Sequence, residues 1–249
     1  MENKIIEEQY KKGDTLYLQS KYEEAMPYYQ QVLEIKLDSD LANYKMGNCL
    51  CHLGRYEEAI EHYQITIEHN TTYQTEAYFY MGNCFFNLKR HDEAVKCYTK
   101  VITSKKNWGM AYYYMALCLY YLKIYDEAIE CFKKGITLIP EDGQVYFYMG
   151  NCLFSLKRYD EVIEYYEKAV KLQPGHYEAF NNMGKCFIQL LKYNEALESF
   201  HKVIELKPDN AEAYFYMGNC LKNLNKFDES NECYKKAAEL NPGYLKVEE

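Results

Sequence analysis

Side chains able to do chemistry are plentiful in this chain: ten cysteines and six histidines among 249 residues. Their spacing argues against a reaction centre. No two of His52, His62, His69, His91, His176 and His201 stand four apart, the step that sets two imidazoles on one helical face around a zinc ion. Cys49 and Cys51 are two apart, so on a helix they point in different directions and cannot share an ion. No glycine-rich phosphate loop occurs, and no nucleophile–base arrangement stands out. The sequence therefore reads as non-catalytic, with no cofactor and no metal. Nor do the cysteines read as a disulfide framework. Six (Cys49, Cys84, Cys118, Cys152, Cys186 and Cys220) occupy one position of a recurring segment, and Cys97, Cys131 and Cys233 occupy a second. Cysteines placed by register are small packing residues, expected as buried free thiols in a reducing, cytoplasmic compartment.

That recurring segment is AYFYMGNC at 77–84, VYFYMGNC at 145–152 and AYFYMGNC again at 213–220, with weaker copies at 42–49, 111–118 and 179–186. The underlying step is 34 residues. Counting from seven residues before the glycine of each segment, the repeats run 6–39, 40–74, 75–108, 109–142, 143–176, 177–210 and 211–244, and the glycine is slot 8. The second repeat carries one extra residue, placed around Asn70–Tyr73 in a loop between helices, where an insertion costs little. The tail 245–249 reads as a truncated end or the start of an eighth repeat. It is too short for a capping helix, so Tyr234 and Leu240 are expected to leave apolar surface open to self-association.

Each repeat reads as two helices. In 143–176, Tyr146, Met149, Gly150, Leu153 and Leu156 follow the helical period, a break comes at Lys157-Arg158, and Tyr159, Val162, Ile163, Tyr166, Ala169 and Val170 resume it. Acidic pairs such as Asp92-Glu93, Asp126-Glu127, Asp160-Glu161 and Asp228-Glu229 open the second helix, where negative charge suits the positive end of the dipole. Slot 8 is glycine in six repeats and Ala116 in the fourth, a cost of up to about 1 kcal/mol each, so the second helix must lie against that face. Slot 24 is always aromatic (Tyr29, Tyr63, Tyr98, Phe132, Tyr166, Phe200, Tyr234) and is expected to fill the space toward the next repeat. Gly135 is expected to loosen the second helix of the fourth repeat.

With these positions in place, the chain resembles the tetratricopeptide-repeat family, whose pattern is W-x2-L-G-x2-Y, then A-x3-F, then P. The last repeat answers it with Tyr214, Met217, Gly218, Leu221, Ser230, Tyr234 and Pro242, and the resemblance extends over 6–244. Departures are an aromatic, Gln9 or Asn43 for the leading Trp, and Leu37, Thr71 and Lys106 for the closing proline in the first three repeats. The resemblance implies an all-α, right-handed solenoid of about seven helix–turn–helix units forming a single array. First helices would line a concave groove that binds peptides.

If slots 7, 8 and 11 face the core, slots 2, 5, 9, 12 and 13 lie opposite. Slot 9 carries Asn48, Asn83, Asn151 and Asn219, with Lys185 in the sixth repeat; slot 5 carries Tyr44, Phe79, Tyr113, Phe147, Asn181 and Phe215; slot 12 carries Phe86, Tyr120 and Phe154. A row of amides flanked by rings suits the backbone of an extended peptide, since asparagine offers a donor and an acceptor. The Lys–Asn set by which co-chaperone relatives clamp a terminal carboxylate is missing, because slot 5 is aromatic where the lysine belongs. A net charge of −8 opposes nucleic acid and an acidic membrane surface as partners, and no stretch is long and apolar enough to insert. The expected function is a non-catalytic adaptor that holds a peptide segment of another protein. The alternatives are a recruiting module of a larger enzyme, or a self-associating or designed array.

Overall fold

The computed structural model describes residues 2–68 and 72–247, with side chains to Tyr244. Every described repeat is a helical pair, and no strand occurs among the described residues. The helices gather into two compact halves, 1–124 and 125–249. The first holds α1 (Glu2–Leu18), α2 (Tyr22–Ile35), α3 (Asp40–His52), α4 (Tyr56–Glu68), α5 (Gln74–Asn87), α6 (His91–Ser104) and α7 (Gly109–Tyr121). The second holds α8 (Tyr125–Leu138), α9 (Gly143–Ser155), α10 (Tyr159–Leu172), α11 (Tyr177–Gln189), α12 (Tyr193–Leu206), α13 (Ala211–Asn223) and α14 (Phe227–Leu240), then a 3₁₀ turn at Pro242–Val247. Asn70 and Thr71, the heart of the expected insertion, lie outside the described residues.

One motif ends the first helix of all seven repeats. The residue at slot 15 turns left-handed, with φ near +60° at Ser20, Lys89, Lys123, Lys157, Leu191 and Asn225, and +75° at Gly54. The next amide then donates back five residues, as from Arg55 to the Leu50 carbonyl (2.9 Å) and from Arg158 to Leu153 (2.9 Å). This is the Schellman closure, which satisfies the last carbonyls of the helix and reverses the chain. Second helices begin in acid, as expected. Arg55, Arg90 and Arg158 pair with Glu58, Glu93 and Glu161 one turn on and hold those carboxyls below their usual range. At the far end the cap residue is extended, at φ −133° for Lys36 and −128° for Lys105, as it is for Gln173 (−133°) before Pro174. The turns at Leu37 and Lys106 thus take the proline geometry without the proline.

Small residues do what the sequence requires of them. A Cβ on Gly13, Gly47, Gly82, Gly150, Gly184 or Gly218 would come within 2.5–2.8 Å of the slot-24 ring of the same repeat. The slot-24 ring therefore seats on its own repeat's glycine, and its other side meets the next repeat. Tyr63 stacks with Tyr80 (6.3 Å), Tyr98 with Tyr114 (6.0 Å), Phe132 with Tyr148 (6.5 Å) and Phe200 with Tyr216 (5.6 Å). One ring thus ties two helices of one repeat to the first helix of the next, which is how a stack without a central core holds together. α8 runs unbroken through Gly135, which is buried. On α14, Leu240 and Phe227 are exposed, whereas Tyr234 is half-buried because its ring covers Gly218.

Candidate functional site

Slot 9 is built by the ring beneath it. The phenol of Tyr63 donates to Oδ1 of Asn48, Tyr98 to Asn83, Tyr166 to Asn151 and Tyr234 to Asn219, each at 2.7 Å. In the first repeat Tyr29 donates to Oδ1 of Asp14, also at 2.7 Å. Burial drives the Tyr29, Tyr63 and Tyr98 phenols far above the ordinary tyrosine range, so these stay protonated donors. With Oδ1 on the phenol, Nδ2 points away from the tyrosine. Among the described residues nothing accepts from Nδ2 of Asn83 or Asn219, and both side chains are half-buried. Asn83 and Asn219 therefore present a donor with no partner among the described residues. Asn151 is the most enclosed, at 8% exposure, because its Oδ1 also takes Nδ2 of Asn182 at 3.0 Å.

This pairing was readable and was missed. Slot 24 is tyrosine wherever slot 9 is asparagine or aspartate, and phenylalanine in the two repeats where slot 9 is Leu117 or Lys185. Lys185 instead reaches Glu212 at 2.8 Å.

In the first half a recess of about 290 Å³ gathers Asn48, Asn83 and Phe86 with Cys51, His52, Tyr56, Tyr63, Tyr80, Asn87 and Tyr114. Slots 9, 12 and 13 thus share one wall here, as the helical angle predicts. Slot 6 (Tyr80, Tyr114) belongs to it too, although the angular argument omits it. His52 is held at the rim by Tyr17 (2.9 Å) and by stacking on Tyr22 (4.5 Å).

Slot 5 departs from expectation. Phe79, Tyr113, Phe147 and Asn181 are buried, and Tyr10, Tyr44 and Phe215 keep partial exposure. The cause is the end of the same repeat, which folds back over slot 5. Tyr73 stacks on Tyr44 (5.3 Å), Trp108 on Phe79 (4.8 Å), His176 lies against Phe147 (4.4 Å) and Tyr244 against Phe215 (4.9 Å). Tyr44 is pushed up to about 12 by burial, partly offset by its hydrogen bond with Asn48. Asn181 donates to Glu212 at 2.9 Å. Of the slot-12 rings, Phe154 packs edge-on to Tyr159 (5.4 Å) and Tyr120 edge-on to Tyr121 (5.5 Å), all partly exposed or at the surface. A second recess, about 540 Å³ in the other half, is lined by Gln144, Phe147, Tyr148, Gln173, Gly175, His176, Tyr177 and Glu178.

The cysteines of the first register slot are wholly buried and unpaired, and burial raises Cys49, Cys118, Cys152, Cys186 and Cys220 to about 12. They are packing groups, not nucleophiles. Among the described residues no three His, Cys, Asp or Glu side chains converge as a metal site. No described helix is long and apolar enough to cross a membrane.

Comparison with known proteins agrees with this construction. Tetratricopeptide-repeat family models match residues 9–39, 38–107, 110–142, 143–176, 177–210 and 211–244. No curated protein matches. Among solved structures, the C-terminal part of a TPR repeat-containing protein from Cytophaga hutchinsonii aligns with TM-score 0.80 at 16% identity, covering 96% of this chain and 99% of that one. YrrB, described as a TPR protein with an unusual peptide-binding site, aligns at 0.67 with 24% identity, covering 75% and 95%. MamA from Desulfovibrio magneticus aligns at 0.65 with 24% identity, covering 69% and 96%. Repeat length, the glycine–ring seat, the Schellman closures and matches along nearly the whole length agree: the chain belongs to the tetratricopeptide-repeat family of protein-interaction scaffolds.

Proposed function

We propose that the chain holds an extended segment of another protein along the first helices of each half, with slot-9 amides donating to the segment's backbone carbonyls. One observation carries this reading: the 2.7 Å tyrosine bond that holds Asn83 and Asn219 with Nδ2 turned away from the ring. A surface asparagine kept only for solubility needs no such lock. Fixing the amide before binding removes rotamer entropy that the complex would otherwise lose. Neighbouring rings supply apolar area around each donor. Ten unpaired cysteines suit a reducing compartment for this work.

The test is a substitution that keeps the lock and removes the donor. Aspartate does both, since Asp14 accepts from Tyr29 at the same 2.7 Å. A chain with Asn83, Asn151 and Asn219 all changed to Asp is compared with wild type as bait, with helicity checked by circular dichroism. Proteins retained by wild type and released by the folded triple variant are wall ligands. Identical retention by both would end the proposal.

A further inference from the structure

Within each half, slot 9 of one repeat faces slot 6 of the next, and the chain closes three of these junctions with its own groups. Lys45 reaches Asp14 at 2.8 Å and stands 5.9 Å over the Tyr29 ring. Asn182 donates to Asn151 at 3.0 Å. Lys185 reaches Glu212 at 2.8 Å and stands 5.2 Å over the Tyr216 ring. Two of the three closures are thus an ammonium set on a tyrosine face beside a carboxylate. Such an ion gains from the ring quadrupole and from the counter-charge together.

The other two junctions of the first half, Asn48 with Tyr80 and Asn83 with Tyr114, both open into the 290 Å³ recess. No lysine or arginine lines it. Apart from the His52 imidazole at the rim its walls are phenol and phenyl faces, amides and a thiol, so an anionic guest would meet neither an ammonium nor a guanidinium. Glu76 occupies the repeat position that Glu212 holds beside Lys185. Oε1 of Glu76 takes the Lys105 ammonium, while Oε2 is buried with no hydrogen-bond partner among the described residues. Glu76 stands at the register position beside this junction rather than in the recess lining, and the ring faces that do line the recess carry no ammonium such as Lys185 places on Tyr216.

We propose that this recess takes a basic side chain, the guanidinium or ammonium of an arginine or lysine, carried by the segment bound along the wall. The place that Lys185 fills from inside at the sixth repeat is filled from outside at the second and third. This rests on the reading of the wall as a peptide site and narrows its ligand to a segment that is basic where it crosses α3 and α5.

The chain labelled with nitrogen-15 is titrated with the blocked peptides acetyl-Gly-Arg-Gly-amide, acetyl-Gly-Leu-Gly-amide and acetyl-Gly-Glu-Gly-amide. The arginine peptide is expected to shift the side-chain amide signals of Asn48, Asn83 and Asn87 saturably, about tenfold more tightly than the leucine peptide. Added salt weakens the effect, and the glutamate peptide gives none. Asn48→Lys with Tyr63→Phe copies the sixth repeat, where Lys185 accompanies Phe200, and should abolish arginine binding in a folded chain. Glu76→Gln is a second, milder variant that should weaken the arginine peptide severalfold and leave the leucine peptide unchanged. The proposal is overturned if the leucine peptide binds as well as the arginine peptide, if no peptide binds, or if Glu76→Gln leaves arginine affinity unaltered. Loss of wall ligands in the triple aspartate chain, with no arginine binding, would sink this site alone. Arginine binding without any loss of wall ligands would sink the peptide reading and keep the cation site.

Discussion

Changing both members of a tyrosine–asparagine lock should cost less than changing one. Tyr98 is 0% exposed, and its hydroxyl has Asn83 Oδ1 at 2.7 Å. Asn83→Leu strands a phenol inside the repeat, which costs roughly 1–3 kcal/mol. Tyr98→Phe keeps the ring on Gly82 and loses one hydrogen bond, about 1 kcal/mol, because the half-buried amide can turn to water. The double change leaves neither group unsatisfied and reproduces the combination of Leu117 and Phe132 that the fourth repeat carries. It should lie closer to wild type than the sum of the singles, with a coupling energy of about 1–2 kcal/mol. Urea unfolding followed by far-ultraviolet circular dichroism, with the four chains side by side, measures that coupling. Additivity within about 0.5 kcal/mol would refute the lock as an energetic unit, and the case for prearranged donors would go with it.

Three further outcomes follow from single contacts. Gly150→Ala puts a methyl 2.5 Å from Cε1 of the buried Tyr166, so strain of about 1–3 kcal/mol should outweigh the gain in helix propensity; Gly175→Ala, with open space around it, is the neutral control in the same thermal melt. Leu191→Gly relieves a left-handed residue at φ 59° that is 71% exposed, and should raise stability by up to about 1 kcal/mol in the same measurement. Burial holds the register thiols near 12 in the folded chain, against about 9 for a free thiol, so their stabilising effect is complete below pH 9 and fades as pH climbs toward 12. Alkaline melts should show a midpoint falling across that window, and Ellman's reagent at neutral pH should find the half-buried Cys51, Cys131 and Cys233 before the others.

The helical pairs were legible because each claim was made seven times. A glycine at slot 8 with an aromatic at slot 24 sets the second helix against the first, and repetition removed the ambiguity of any single copy. The wall was only half legible, for a physical reason. Helical angle fixes the side from which a residue projects, but not what later chain is laid over it. At slots 9, 12 and 13 of the second and third repeats, Asn48, Asn83, Phe86 and Asn87 line one recess. Slot 5 projects toward the turn that closes the repeat, where a large side chain waits: Trp108 over Phe79, His176 over Phe147. Those closing residues are the least regular column of the repeat, so periodicity says nothing about them. The lock left a plain trace in the alternation of tyrosine and phenylalanine at slot 24, which shows only when two distant columns are compared. The same reasoning explains why the recess opens in the first half. Slot 6 there is tyrosine in two successive repeats, Tyr80 and Tyr114, each already stacked on the ring of the repeat before it. A ring committed to that stack cannot also reach slot 9, whereas Lys45 and Asn182 can, and the gap that remains is bounded by π faces.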